Sequence, residues 1–229
     1  MLSISATQEW RRAHPGATIG LLELSGIDNQ SSSASLNERK RAVEARLRER
    51  YCGFTRPDFL ALPLLAAYQR YYKRFDKTYH VQLQLESIVL KGKNLPDVSP
   101  LVDANFTAEV ETMVLTAGHD VSKLLGDIRM DVSTEGDLMT RMNGAPKAIL
   151  AGDMIMRDEV EVCCTILYGQ DNRSPISAQT SHVLYVAYAP PGVLAAEVET
   201  QLRAVEENVR LFCPQAVLEQ RLLLSASAA

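Results

Sequence analysis

The apolar positions repeat at helical spacing through most of the first half of the chain and at strand spacing through much of the second. Residues 17–24 (ATIGLLEL) are nearly all apolar between Pro15-Gly16 and Gly26, the pattern of a buried strand. A polar loop is expected over 28–35. Ser35 with Glu38 three residues on forms a capping-box signature, so a charged helix is predicted from there to about Arg50, burying Leu36, Val43 and Leu47. Leu65, Tyr68, Tyr72 and Phe75 recur at i, i+3, i+7 and i+10, one face of a second helix. Val81, Leu85, Ile88 and Val89 mark a third, stopped by Gly92. Leu101, Val102, Val110, Met113 and Val114 predict a central helix that Ala117-Gly118-His119-Asp120 would end.

Beyond it the period shortens. Short strands are expected at 127–132 and 138–142, with Thr134-Glu135-Gly136-Asp137 turning between them. Val160, Val162, Cys164 and Ile166 alternate as a half-buried strand does. Gly152-Asp153 reads as a hairpin turn. After a polar loop at 169–181, residues 182–189 (HVLYVAYA) are apolar on both faces, as in a central strand. Leu194, Val198, Leu202, Val205, Val209 and Phe212 place a last helix before Pro214, which opens a C-terminal tail (214–229) whose Ser/Ala end is expected to fray. The fold class that follows is α/β (α+β), a layered sandwich of mixed β-sheet with helices.

Composition changes this picture little. The 229 residues carry 46% apolar and 23% charged side chains, ordinary values for a globular chain with a buried core. A net charge of −4 argues against broad, sequence-blind nucleic-acid binding but leaves room for a local basic face. Cys52, Cys163, Cys164 and Cys213 show no CxxC spacing and read as reduced thiols in a cytoplasmic protein, Cys164 as a core residue. No signal peptide is legible in MLSISATQEWRR, and no apolar run reaches the roughly 18 residues of a membrane span.

No strong chemical motif is present. P-loop, GxGxxG, HExxH and GxSxG patterns are all missing, and the histidines at 14, 80, 119 and 182 lack metal-ligand spacing. No metal, cofactor or ATP site is therefore expected. His119, beside Asp120, reads either as a polar catalytic group or as a residue capping the central helix. Asp171, Arg173, Ser174 and Thr180 crowd one loop, the kind of segment that carries function or simply braces a turn. Arg70, Lys73 and Arg74, with Lys77 and His80 beyond, either bind phosphates beside base-stacking tyrosines or snorkel from the rim of an aromatic core. The Arg/Glu-dense helix before them reads as a solvated face or a nucleic-acid contact.

The order of these features is more telling than any one of them. Residues 91–124, KGKNLPDVSPLVDANFTAEVETMVLTAGHDVSKL, carry Leu95-Pro96, Val102-Asp103, Asn105 and Gly118-His119-Asp120 ahead of a strand region. This segment resembles the start of the B3/B4 editing module in the β subunit of bacterial phenylalanyl-tRNA synthetase. The later YGQDNRSPISAQTSHVLYV is similar to that module's closing segment. The resemblance runs from about Ile19 to Phe212. It implies an N-terminal portion (1–78) packed on a B3/B4-like domain (79–213), followed by the tail. It also implies a pocket between two subdomains, which in the synthetase hydrolyses tyrosine wrongly attached to the phenylalanine tRNA. The family's histidine and glutamate count to Ala117 and Val186 here, both apolar.

Three functions are consistent with this reading. The first is a stand-alone module binding tRNA or other RNA, with Lys91, Lys93, Asn94, Asp103, Arg173, Ser174, Thr180, Arg70, Lys73 and Arg74 as candidate contacts. The second is a trans-acting deacylase of mischarged aminoacyl-tRNA, with His119, Asn105 and Asp171 as candidate catalytic residues and no ligase activity. The third is an amino-acid or other small-molecule binding module, or a protein-binding one.

Overall fold

The computed structural model describes residues 2–30 and 33–226. In chain order the elements are β1 (Ile4–Ala6), α1 (Gln8–Ala13), β2 (Thr18–Ser25), α2 (Ala34–Arg50), α3 (Arg56–Ala61), α4 (Pro63–Lys73), α5 (His80–Lys91) and α6 (Pro100–Thr112). There follow β3 (Thr116–Asp120), β4 (Ile128–Val132), β5 (Leu138–Thr140), β6 (Pro146–Ala148), β7 (Met154–Arg157), β8 (Val162–Thr165) and β9 (Gly169–Gln170). The chain closes with β10 (His182–Ala189), α7 (Ala195–Arg210) and β11 (Val217–Ser225). The fold is a mixed α+β sandwich.

Two larger sheets organise it. One has the order β11-β2-β10-β3, antiparallel throughout, and the other the order β1-β4-β7-β8-β9, with only β1–β4 parallel; β5 and β6 form a separate ribbon. β2 and β10 are central, which is why both read as continuous apolar runs and are almost wholly buried. α7 lies on β2, where Gly20 has no side chain because a Cβ there would overlap Val198. The strand supplied by the N-terminal portion thus sits inside the sheet of the later domain, and a single hydrophobic core runs across the expected 78/79 boundary.

The tyrosines of α4 tie the two sheets together. Tyr68 Oη accepts the Leu115 N–H (3.0 Å) and donates to the carbonyl of Tyr188 (2.7 Å), at the β10 side. Tyr71 Oη accepts the Met154 N–H (2.7 Å) and donates to Asp153 Oδ1 (2.7 Å), while Tyr72 Oη donates to the carbonyl of Ile166 (2.6 Å), on the β7–β8 side. Tyr68 and Tyr79 stack with ring centroids 4.1 Å apart. These rings are core, with each hydroxyl satisfied by backbone, as buried tyrosines require.

Several expectations are corrected. The α2 cap is Ser33, whose Oγ accepts the Leu36 N–H (3.2 Å), so Ser35 lies inside the first turn. The expected loop 28–35 includes residues 31 and 32, which lie outside the described residues. The central helix stops at Thr112, with Met113 in the left-handed conformation (φ 64°). Ala117-Gly118-His119-Asp120 therefore belongs to β3, its backbone satisfied by pairing with β10 rather than by a helix end. The segment expected as a tail forms β11, which pairs along the whole of β2 because Leu222, Leu223 and Leu224 pack against the core; of the Ser/Ala end expected to fray, residues 227–229 lie outside the described residues. Among the described residues no helix is long and apolar enough to cross a membrane.

A candidate ligand cavity with a cationic mouth

The loop after β9 is bound to β3 through a buried polar chain. Ser174 Oγ donates to Asp171 Oδ1 (2.6 Å), and the same oxygen accepts the Ser174 N–H (3.0 Å). His119 Nδ1 lies 2.7 Å from Ser174 Oγ. With the hydroxyl proton committed to Asp171, Nδ1 must be the donor, which leaves Nε2 unprotonated and, among the described residues, without a partner. Burial, and secondarily the Arg173 guanidinium, lower the His119 pKa to about 3, so the ring is neutral. A base that weak has little drive to take a proton from water. Thr180 Oγ1 donates to Asp120 Oδ2 (2.7 Å) in the same lattice. Arg173 spans Asp158 (2.7 Å) and Glu161 (2.7 Å).

The structure thus brings His119, Asp171, Arg173, Ser174 and Thr180 together as a fastening of the loop. It does not bring the other expected site residues to them. Asn105 donates from Nδ2 to the Thr116 carbonyl (2.9 Å), and Asp103 holds the buried Lys40 (2.9 Å) and the Val98 N–H (3.0 Å). Lys91, Lys93 and Asn94 lie exposed at the C-terminal end of α5, where Arg48 bonds the Lys93 carbonyl (2.9 Å) and Asn94 Oδ1 (2.7 Å). The arginine face of α2 is largely occupied as well: Arg39 and Arg46 each reach Glu111 (2.7 Å), and Arg41 reaches Glu44 (2.8 Å).

A cavity of about 410 Å³ opens elsewhere, between α5, α6, the start of β3, the β5–β6 ribbon and β8. Phe106, Leu115, Ile166 and Tyr188 give it apolar walls, and Ala117 lines it as well. Val186 pairs across the sheet with Ala117, so the neighbouring strand is apolar there too. The acid comes instead from the helix. Glu109 is 2% exposed, its Oε1 accepts the Thr116 N–H (2.8 Å), and among the described residues its other oxygen has no partner. Burial pushes its pKa up to about 8, against the smaller opposing pull of that hydrogen bond.

Cations surround the opening. Arg141 lines it, beside the imidazole of His80, which burial holds in its neutral form, and Tyr168 stands at its edge with Lys147 Nζ 4.5 Å and Lys77 Nζ 5.8 Å from its ring centroid. From Lys77 the strip continues back along the end of α4 through Arg74, Lys73 and Arg70, all exposed. Among the described residues none of these cations has a carboxylate within ion-pair distance, in contrast to α2. No group of three or more His, Cys, Asp or Glu among the described residues is placed to hold a metal ion.

A profile of the B3/4 domain matches residues 65–210, well over half of the chain. The chain belongs to the B3/4 domain family. The match begins at α4 and ends with α7, so both walls of the cavity lie within it. Among solved structures, the chain is similar to an N-terminal fragment of the phenylalanyl-tRNA synthetase β-subunit from Pyrococcus horikoshii. The identity is 7% and the TM-score 0.48; the likeness covers 97% of this chain and 50% of the other, so the chain spans half that fragment's length. No curated protein matches.

Sequence reading missed the cavity residues for identifiable reasons. Glu109 stands four residues after Asn105 and eight after Leu101, on one helical line, so a carboxylate in a buried stripe was the available signal. Arg141, Lys147 and Tyr168 come from the ribbon and the β8–β9 turn, and their convergence with Lys77 depends on tertiary packing.

Proposed function

We propose that this chain binds the 3′ end of an RNA of the tRNA class, with the terminal residue or its attached group in the 410 Å³ cavity and the preceding phosphates on the cationic strip. The observation that carries the reading is the strip itself. Arg141 lines the opening and Lys77 and Lys147 flank Tyr168 at its edge, with Arg74, Lys73 and Arg70 preceding Lys77 at the end of α4, and none of these cations has a carboxylate partner among the described residues. A net charge of −4 is compatible with this, because the acidic groups are concentrated in ion pairs elsewhere. Tyr168, already flanked by two lysines, offers a ring on which a base can stack.

Charge reversal tests it. Lys77→Glu with Lys147→Glu should weaken tRNA binding by roughly 10-fold or more at moderate salt and make the salt dependence shallower by about two phosphate contacts. The pair Lys91→Glu and Lys93→Glu, at the far end of α5, should have a small effect by comparison. Equal affinity of wild type and the Lys77/Lys147 variant would refute the proposed path.

Hydrolysis of an aminoacyl ester in the same cavity is the second reading, and Glu109 favours it. A carboxyl group with a pKa of about 8 can exchange a proton near neutral pH, as general acid–base chemistry requires. Release of the amino acid from mischarged tRNA above the spontaneous rate, lost in Glu109→Gln, is the expected result under this reading. Release unchanged by Glu109→Gln would remove that residue from the chemistry.

A further inference from the structure

The sheet β11-β2-β10-β3 ends in two edges of different character. β3 borders the cavity described above. β11 is the other edge, nine residues long, and no strand among the described residues pairs with its outer side. Which of its backbone groups face outward follows from the ladder. The Ala226 N–H bonds the Ala17 carbonyl, one step beyond the pair Ser225 and Thr18, and bonded pairs alternate along an antiparallel ladder. Leu224, Leu222 and Gln220 therefore direct their groups to β2, and Arg221, Leu223 and Ser225 turn theirs outward. The Ser225 carbonyl is held by Arg11, as an outward group can be. A bulge at Glu219 interrupts the ladder on the other side. The open stretch is thus Arg221 and Leu223, whose outward N–H and C=O groups have no partner among the described residues. Leu222, Leu223 and Leu224 are all half-buried, so both faces of the strand keep apolar surface beside this edge.

We propose that β11 is the seat of a two-fold dimer, in which a second copy of this chain lays its own β11 antiparallel against this edge. The occupant follows from self-complementarity. A two-fold axis at Leu222 sets Arg221 opposite Leu223 of the copy and Leu223 opposite its Arg221, so four hydrogen bonds satisfy every open group on both strands. Leu222 meets Leu222 of the copy, Leu224 meets its Gln220, and Leu223 lies against the aliphatic stem of its Arg221. The neighbouring registers fail. An axis at Arg221 sets two arginines opposite each other, and an axis at Leu223 calls on the Ser225 carbonyl that Arg11 already holds. Arg221, the edge charge that would otherwise resist pairing, is drawn to Glu206 on α7 (3.0 Å). The dimer joins two four-stranded sheets into one, with β3 and its cavity at each far end, so it does not rest on the RNA reading.

Sedimentation equilibrium of the full chain tests it. Four hydrogen bonds and a small patch of leucines make a modest interface, and a dissociation constant of roughly 1–100 µM is expected. Leu223→Pro removes only an outward N–H, which an edge strand tolerates. It should weaken association by about tenfold or more, with far-UV dichroism and melting temperature close to wild type. Cross-linking reads the register, and it decides the question even if the proline variant fails to fold. With the exposed Cys52 replaced (Cys52→Ser), Leu222→Cys puts two thiols on the axis, in a non-hydrogen-bonded pair whose Cα atoms are about 4.5 Å apart, within disulfide reach. Leu224→Cys puts them about 13 Å apart. Oxidation should yield covalent dimer from the first and none from the second. Wild type that stays monomeric at several hundred micromolar, a folded Leu223→Pro that associates as wild type does, or cross-linking no better from Leu222→Cys than from Leu224→Cys would overturn the inference.

Discussion

At the scale of single residues, buried ionisable groups set the pH response. Glu109 (about 8) and Asp153 (about 7) have pKa values raised above those of the unfolded chain, chiefly by burial. In each case the folded state holds a proton the unfolded state has lost, so stability falls as pH rises from the unfolded value to the folded one. His14 (about 4) and His119 (about 3) are lowered by burial and by a nearby arginine, so their contribution is lost as pH falls below about 6.5. These four opposing effects largely offset one another at mildly acid pH. From about pH 7 to 8 Glu109 is left alone, and the unfolding free energy should fall by up to about 1.4 kcal/mol per pH unit. Glu109→Gln should flatten that stretch of the curve in denaturant titrations at pH 6.5, 7.5 and 8.5. A wild-type slope identical to the variant's would mean the carboxyl is already ionised. Ser174→Ala probes the other buried network: it strands Asp171 and His119, and a loss of roughly 1–3 kcal/mol is expected.

At the scale of elements, β11 is where the sequence misleads most and where removal should cost most. Truncation after Ala216 would strip β2 of one of its two partners and expose Leu21 and Leu24 alongside an open edge. The shortened protein should be insoluble or melt far below the full chain; an unchanged melting temperature would show that β11 is dispensable. The elements that were legible are those whose local pattern and tertiary role agree. β2 and β10 read as buried strands because both of their faces are covered, and the α4 stripe of Leu65, Tyr68 and Tyr72 reads as a core face because it is one. Where the two disagree the reading fails. Thr116–Asp120 looks like a polar helix end, yet pairing with Val183–Ala187 makes it a strand. Gln215 to Ser225 looks like a tail because its leucines follow a proline and stand on consecutive, half-buried positions of an edge strand, without the alternation that marks a strand.

At the scale of the whole molecule, the arrangement separates packing from chemistry differently from what the motifs suggest. The residues with the most chemical appearance, His119, Asp171, Ser174 and Arg173, form a closed network that fastens a loop. The cavity is assembled from residues of ordinary appearance, and its acid comes from α6, while Ala117 on its strand wall and Val186 paired with it are apolar. The central claim is that the strip of free cations delivers an RNA 3′ end to that cavity. The most direct measurement compares the affinity of the protein for a tRNA with its affinity for the same tRNA lacking its 3′-terminal nucleotides, for wild type and for Lys77→Glu/Lys147→Glu. The account predicts that wild type binds the intact tRNA roughly tenfold more tightly than the truncated one, and that the variant binds both equally weakly. Wild-type binding indifferent to the 3′ end would contradict it.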